Sequence, residues 1–326
     1  MEVGTGLFTC QRRPDDERSF NEIYDEMLAL GGSIEEAGLD SAWVSEHHFA
    51  EDGYLSGTMP SLGALAAVTS SVSIGTCIAL APLYDPIRIV EDAATVDLIS
   101  DGRMHLGLSI GYRDEEFDGF GLDKSTRVER TMDVIELARS AWSESNESLE
   151  YPITPPPAGR GPPILLGGSA KPAVRRAARH ADGWIAPSSL DLDAITVRVE
   201  DIHRVRETEG IERPFQVYVL RHGFIDDDAD TAWAAMRDGY LYLQRTYASW
   251  YAGEPIDELA PDRRAELRER AIIGNAETVA DDLERIEARL GADVHVILRT
   301  YYPGIGTERM RRCIHRLGDE VLPLLA

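Results

Sequence analysis

The sequence predicts an α/β fold, a (β/α)8 TIM barrel with an insertion before the eighth strand, formed as one domain over residues 1–326. Three observations point there. Eight short runs rich in aliphatic residues recur along the chain, amphipathic helical patterns separate them, and no Gly-x-Gly-x-x-Gly fingerprint follows the first run as a doubly wound nucleotide-binding sheet would normally show. A chain of 326 residues has room for two average domains or one large barrel. The unbroken alternation favours the barrel.

The strand-like runs are Val3 to Phe8, Ser41 to Ser45, Val72 to Ala79, Met104 to Ser109, Pro163 to Leu166, Gly183 to Ala186, Phe215 to Arg221 and Asp293 to Arg299. Helical periodicity falls near 22–37, 60–69, 86–100, 127–142, 172–180, 194–209, 229–250, 277–290 and 308–325. The first helix shows the logic: apolar residues repeat at helical spacing up to Ala37, Gly38 stops them, and a short interior strand begins at Ser41. Two stretches break the rhythm. Residues 143–162, rich in Ser, Glu and Pro, read as an excursion after the fourth helix. Residues 251–275 carry Gly253, Pro255 and Pro261 and are expected to form a lid over the barrel mouth.

Composition narrows the function. Asp and Glu number 57 against 33 Lys and Arg, giving a formal net charge of −24, which argues against nucleic acid and anionic membrane surfaces as partners. Lysine occurs only at Lys124 and Lys171, and such a surface suits a high-salt cytoplasm where screening removes self-repulsion. No apolar run is long enough to span a bilayer, and Glu2 to Thr9 leads straight into a strand without a basic segment followed by an apolar one. A cytoplasmic protein is expected. Cys10, Cys77 and Cys313 are too few and too far apart for a disulfide framework or a thiolate metal site, and read as small buried side chains. No His-x-His occurs on any strand, so a metal-dependent hydrolase is disfavoured and no metal is expected.

Chemistry concentrates in Ala42-Trp43-Val44-Ser45-Glu46-His47-His48-Phe49, an apolar run that ends in a carboxylate and two imidazoles. His47 would lie just past a strand's C-terminal end, the edge where parallel α/β folds collect catalytic groups. Neighbouring side chains on extended backbone point to opposite sides, so His47 and His48 are not expected to act as one chelating pair. Glu46 is expected to orient a partner across the rim. After the run Ile164 to Leu166, Gly167-Gly168-Ser169 precedes a helix near Pro172; such glycines let backbone N–H groups converge on an anion.

In order, Glu46-His47-His48-Phe49, Asp85-Pro86-Ile87-Arg88, Ser100-Asp101-Gly102-Arg103, Gly111-Tyr112-Arg113-Asp114-Glu115-Glu116-Phe117, Gly167-Gly168-Ser169, Ala181-Asp182-Gly183-Trp184 and Ile273-Gly274-Asn275-Ala276-Glu277 resemble the luciferase-like monooxygenase family over nearly the whole chain. The resemblance implies an oxidoreductase that uses reduced FMN, or in other branches the deazaflavin F420, at the C-terminal mouth of the barrel. It implies that His47 is catalytic, with Glu46 beside it. It further implies that Cys77, Ile78, Ser109, Tyr112, Gly167, Gly168 and Ser169 contact the cofactor, with a cis peptide at Cys77-Ile78. The Ser109 and Ile110 positions differ from the cysteine and phosphate-binding arginine of the luciferase α-chain branch, so the phosphate's positive partner must come from elsewhere; Arg113 reads more simply as a surface ion pair with Glu115 or Glu116.

A small organic substrate, a separate flavin reductase and a homodimer follow from the same resemblance. The dimer agrees with the unusually apolar helices near 60–69 and 86–100. The alternatives are an F420-dependent hydride-transfer enzyme and a non-catalytic flavin-binding subunit, the latter disfavoured by His47.

Overall fold

The computed structural model describes residues 1–143, 146–147 and 149–325. Its strands are β1 (Glu2–Phe8), β2 (Ser41–Val44), β3 (Ser73–Thr76), β4 (Ala79–Leu80), β5 (Met104–Ser109), β6 (Ile164–Gly167), β7 (Gly183–Ala186), β8 (Gln216–Ile225), β9 (Ile272–Gly274) and β10 (His295–Arg299). The parallel order β10-β1-β2-β3-β5-β6-β7-β8 closes on itself because β8 also pairs with β10, from Tyr218 opposite His295 to His222 opposite Arg299. This is the predicted eight-stranded barrel.

Helices α1 (Phe20–Glu36), α2 (Thr58–Val68), α3 (Pro86–Ser100), α4 (Asp114–Gly119), α5 (Arg127–Ala141), α6 (Lys171–His180), α7 (Leu192–Thr208), α8 (Ala229–Ala252), α9 (Pro261–Glu269), α10 (Ala276–Leu290) and α11 (Thr307–Arg316) connect the strands. Local chemistry sets their ends. Ser19 and Glu22 form a reciprocal capping box on α1, Asp85 caps α3 ahead of Pro86, and Asn275 caps α10.

The departures from expectation are local. The third expected strand is split at Cys77–Ile78, a cis peptide, into β3 and β4. Six-residue α4 and three-residue β9 carry no clear periodic signal, and β9 pairs with the end of β8 inside the expected insertion. Of the expected excursion 143–162, positions 144, 145 and 148 lie outside the described residues.

Two apolar layers build the core. Leu7, Trp43, Leu165, Ile185, Tyr218 and Ile297 fill the barrel interior, while a larger layer packs strands against helices. Leu62, Leu65 and Ala66 of α2 and Ile89, Val90, Ala93, Ala94 and Val96 of α3 are buried within this one chain. The apolar surplus of these helices is thus largely consumed by the barrel itself; Val68, Ile87, Leu98 and Ile99 remain exposed. Among the described residues no helix is long and apolar enough to cross a membrane.

Candidate active site

Past Val44 the chain leaves the sheet but stays pinned: Ser45 N donates to Phe8 O at 3.1 Å and His47 N to Leu55 O at 3.1 Å. His47 therefore stands at the C-terminal rim of the barrel, with little freedom. The Nδ1 of its ring lies 2.8 Å from Oε1 of Glu116, on α4, and the same oxygen accepts His48 N at 3.0 Å. Burial alone would raise the Glu116 carboxyl, but the hydrogen bond and charge of His47, the His48 N–H and the charge of Arg113 bring it below its ordinary value. A carboxylate acceptor assigns the proton to Nδ1, leaving Nε2 as the nitrogen Glu116 does not engage.

Arg113 completes this corner. It donates to His48 O at 2.7 Å, lies 3.4 Å from Glu116 Oε1, and its guanidinium sits 4.2 Å over the Trp250 ring. The expected ion pair with Glu116 exists, but it is buried rather than on the surface, because Trp250 covers it.

Glu46 turns the other way. Its Oε1 meets His48 Nε2 at 2.6 Å, and its Oε2 accepts Leu80 N at 3.0 Å and Tyr84 OH at 2.9 Å. The carboxylate thus ties the His48 ring to the backbone that follows the cis bond. His47 and His48 address different carboxylates, as their opposite orientation requires.

Aromatic rings enclose His47. Tyr54, Tyr112, Tyr247 and Trp250 have ring centroids 4.9, 5.6, 5.9 and 4.7 Å from the imidazole, which is only 5% exposed. Tyr112 and Tyr247 also line a cleft of about 390 Å³ at the barrel mouth, whose lining includes Leu7, Ser45, Cys77 and Tyr251. Tyr247, Trp250 and Tyr251 come from the last turns of α8, so the cover over His47 begins before the expected 251–275 insertion; Leu259, Arg263, Leu267 and Arg270 of that insertion form part of the cleft wall. Of the other aromatic residues near the mouth, Phe8 and Trp184 are core, and Phe49 is exposed.

The expected cofactor contacts form a half-open surface on adjacent strand ends. Ile78, Ser109, Tyr112, Gly167 and Gly168 are half-buried and Ser169 is exposed, whereas most of their neighbours in the strands are buried. A Cβ on Gly167 would stand 2.1 Å from Ile78 Cδ1, so the glycine lets the Ile78 side chain lie against this strand. Gly168 has φ +134°, a conformation that side chains disfavour, and its carbonyl accepts Trp184 Nε1 at 2.9 Å. Cys77 is buried, and burial pushes its thiol up to about 12 despite the opposing charge of Arg299. It is a small apolar side chain here.

Arg198, on α7, is a residue that sequence motifs do not single out. Its Nε donates to Ser169 O at 2.7 Å and its Nη1 to Ala194 O at 2.9 Å, which places a guanidinium at the Gly167–Ser169 turn. Nothing in its spacing marks it, because its reach depends on how α7 packs against α6.

Residues 1–293 match the family model described as luciferase-like monooxygenase. The oxygenase component of flavin-dependent trigonelline monooxygenase from Acinetobacter baylyi is 25% identical, with 97% of this chain and 94% of that protein covered. Among solved structures, the monooxygenase RslO1 from Streptomyces bottropensis superposes with a TM-score of 0.88 at 22% identity, covering both chains completely. The FMN-bound oxygenating constituent of 3,6-diketocamphane monooxygenase from Pseudomonas putida gives 0.77 at 17% identity, covering 99% of this chain and 98% of that one. With the barrel, the rim histidine and a match over most of its length, this chain is an oxidoreductase that belongs to the luciferase-like monooxygenase family.

Proposed function

We propose that this protein is the oxygenase component of a two-component flavin-dependent monooxygenase, taking reduced FMN from a separate reductase and using oxygen to oxidise a small organic substrate. The observation that supports it most is the buried His47–Glu116 pair, held at the barrel rim beside the half-open surface of Ile78, Ser109 and Gly167. The half-open surface of Ile78, Ser109 and Tyr112 would face a flat ring, and the Gly167–Ser169 turn with Arg198 fits a phosphate. Bound reduced flavin would supply the electrons that activate oxygen.

The chain's own groups then have distinct parts. Cys77, Ile78, Ser109 and Tyr112 would hold the ring, and Gly167, Gly168, Ser169 and Arg198 the phosphate. His47 would move a proton at Nε2, with Glu116 fixing the tautomer at Nδ1. Glu46 acts as a positioning residue through His48 and Leu80. The rings of Tyr54, Tyr112, Tyr247 and Trp250 keep water from the imidazole, and the end of α8 together with 251–275 serves as a lid. The relative described as an oxygenase component supports the same division of labour here. A cytoplasmic homodimer completes the reading, with Val68, Ile87, Leu98 and Ile99 as the apolar patch for the second copy.

Absorbance titration of the purified protein with FMN and with F420, followed by oxygen uptake with each reduced cofactor, tests this reading. Tight FMN binding with FMN-dependent oxygen consumption is expected. Oxygen-independent turnover with F420 would replace it by the hydride-transfer alternative, and binding without any turnover by the non-catalytic subunit.

A further inference from the structure

The cleft at the barrel mouth is cationic in a strongly acidic protein. Among the described residues four arginines line it, Arg221, Arg263, Arg270 and Arg299, and no Asp or Glu does, although the chain carries 57 acidic residues against 33 basic ones. Two of the four are deeply buried, Arg299 at 1% and Arg221 at 9% exposure. Arg299 spends its donors on neutral acceptors, Nε on Tyr301 O at 2.9 Å and Nη2 on Thr9 Oγ1 at 3.1 Å. Arg221 donates to Leu220 O at 2.9 Å. Neither forms an ion pair among the described residues. Arg263 and Arg270 share the single carboxylate of Glu266, at 2.7 and 3.2 Å, and Arg270 also donates to Ser188 O.

These cations converge. His222 and Tyr240, whose rings lie 4.5 Å apart, both line the cleft. Burial first, then the charges of Arg299, Arg221 and Arg270, hold the His222 imidazole well below its ordinary range, so it stays neutral and adds no charge of its own. Burial and then the Arg270 charge push the Arg221 guanidinium down to about 10, against a weaker opposing pull from Asp191. Guanidinium groups buried without a counter-charge are costly, and an incoming carboxylate removes that cost while accepting paired N–H donors.

We propose that the substrate carries a carboxylate, seated among Arg221, Arg263, Arg270 and Arg299, with its apolar body lying along Tyr240, Tyr247 and Ala248 toward the place proposed for the flavin ring. The inference rests on the monooxygenase reading for its word substrate; the anion subsite itself does not need it. A cleft of about 390 Å³ suits a small organic acid of one or two rings. The flavin phosphate is the other possible oxyanion, but Gly167, Gly168, Ser169 and Arg198 do not line this cleft.

Calorimetric titration of flavin-free protein separates these outcomes without requiring turnover. Benzoate and benzamide serve as the charged and neutral probes, and FMN and riboflavin as the phosphorylated and unphosphorylated cofactor forms. Benzoate should bind at least about tenfold more tightly than benzamide. Arg270→Gln, at the more exposed side of the cluster, should weaken benzoate by roughly 10- to 100-fold, leave benzamide alone and leave the FMN-to-riboflavin ratio unchanged. Arg263→Gln should act in the same direction, and inorganic phosphate should compete with benzoate. Equal binding of the two probes, or no benzoate binding, overturns the proposal. A variant that loses FMN but not riboflavin assigns the cluster to the cofactor and overturns the substrate carboxylate as well. Oxygen uptake with reduced FMN stands or falls independently of either result.

Discussion

Nδ1 of His47 lies 2.8 Å from Oε1 of Glu116, and both side chains are buried at the end of one barrel strand. That contact fixes the ring and leaves Nε2 as the nitrogen Glu116 does not engage. His47→Ala should therefore keep the fold and flavin affinity while product formation falls by roughly 10²–10⁴. Oxygen should still be consumed and appear as hydrogen peroxide. Undiminished coupled turnover in the variant would remove His47 from the mechanism.

The partner carboxylate makes a separate pH prediction. Glu116 titrates below its ordinary value of 4.5, because the interactions with His47, His48 and Arg113 outweigh its burial. A depressed carboxyl contributes stability that is fully present above its unfolded value and is lost as pH falls through the folded one. The melting temperatures of the parent and Glu116→Gln should thus differ by a constant amount from neutral pH down to about 4.5, then converge on further acidification. A gap that is already closing at neutral pH would contradict this. Product formation in the variant should fall less than in His47→Ala, with an altered pH profile, because the amide still holds the ring but, able to donate as well as accept, no longer selects the Nδ1–H tautomer.

Arg198 is predicted to read the cofactor's phosphate. Arg198→Gln should weaken FMN by about tenfold and riboflavin hardly at all, as measured by fluorescence quenching of each flavin. Gly168→Glu should produce a larger loss of the same kind, since it adds like charge and a side chain where φ is +134°. Equal losses for the two flavins would mean that the turn supports the ring or the fold.

What could be read in the chain, and what could not, divides along a physical line. His47 was legible because the apolar run 42–44 stops one turn of extended chain before it, and a strand's end can be read locally. Glu116 is 69 positions away, and the pairing of β2 with β3 and of β3 with β5 brings α4, which follows β5, beside the end of β2. The motif containing it was visible as a resemblance, but its role was not. Arg113 illustrates a different limit: beside Glu115 and Glu116 it looks like a surface residue, and its contacts with His48, buried Glu116 and Trp250 from the far end of α8 make it buried. The apolar helices α2 and α3 were conspicuous in sequence, yet periodicity cannot say how much of their surface the barrel will cover.

Glu46 should matter first for stability. Glu46→Ala leaves the Leu80 N–H, the Tyr84 hydroxyl and the His48 ring without their buried acceptor. At about 1–3 kcal/mol for a buried group left unpaired, and with partial relaxation, the variant should lose roughly 2–4 kcal/mol in urea unfolding. Glu46→Gln should recover part of that, since its amide oxygen can still accept. If both variants match the parent in stability while activity collapses, the carboxylate belongs to the chemistry rather than to the scaffold.

The acidic surface makes the last prediction. Exposed ion pairs such as Arg179–Glu209 at 2.7 Å weaken as salt rises, but each is worth only about 0–1 kcal/mol. The formal charge of −24 acts in the opposite sense, because its repulsion is spread over the whole surface and is felt most where screening is poor. Raising salt from about 0.1 M to above about 1 M shortens the Debye length from roughly 10 Å to roughly 3 Å. The relief of repulsion should then exceed the lost pairing, and the melting temperature should rise. Potassium chloride is the appropriate salt, since it screens without the strong surface exclusion that makes sulfate stabilise most proteins. A melting temperature that stays flat or falls across that range would show that the excess carboxylates do not burden the folded state, and would leave the scarcity of lysine without an electrostatic reason.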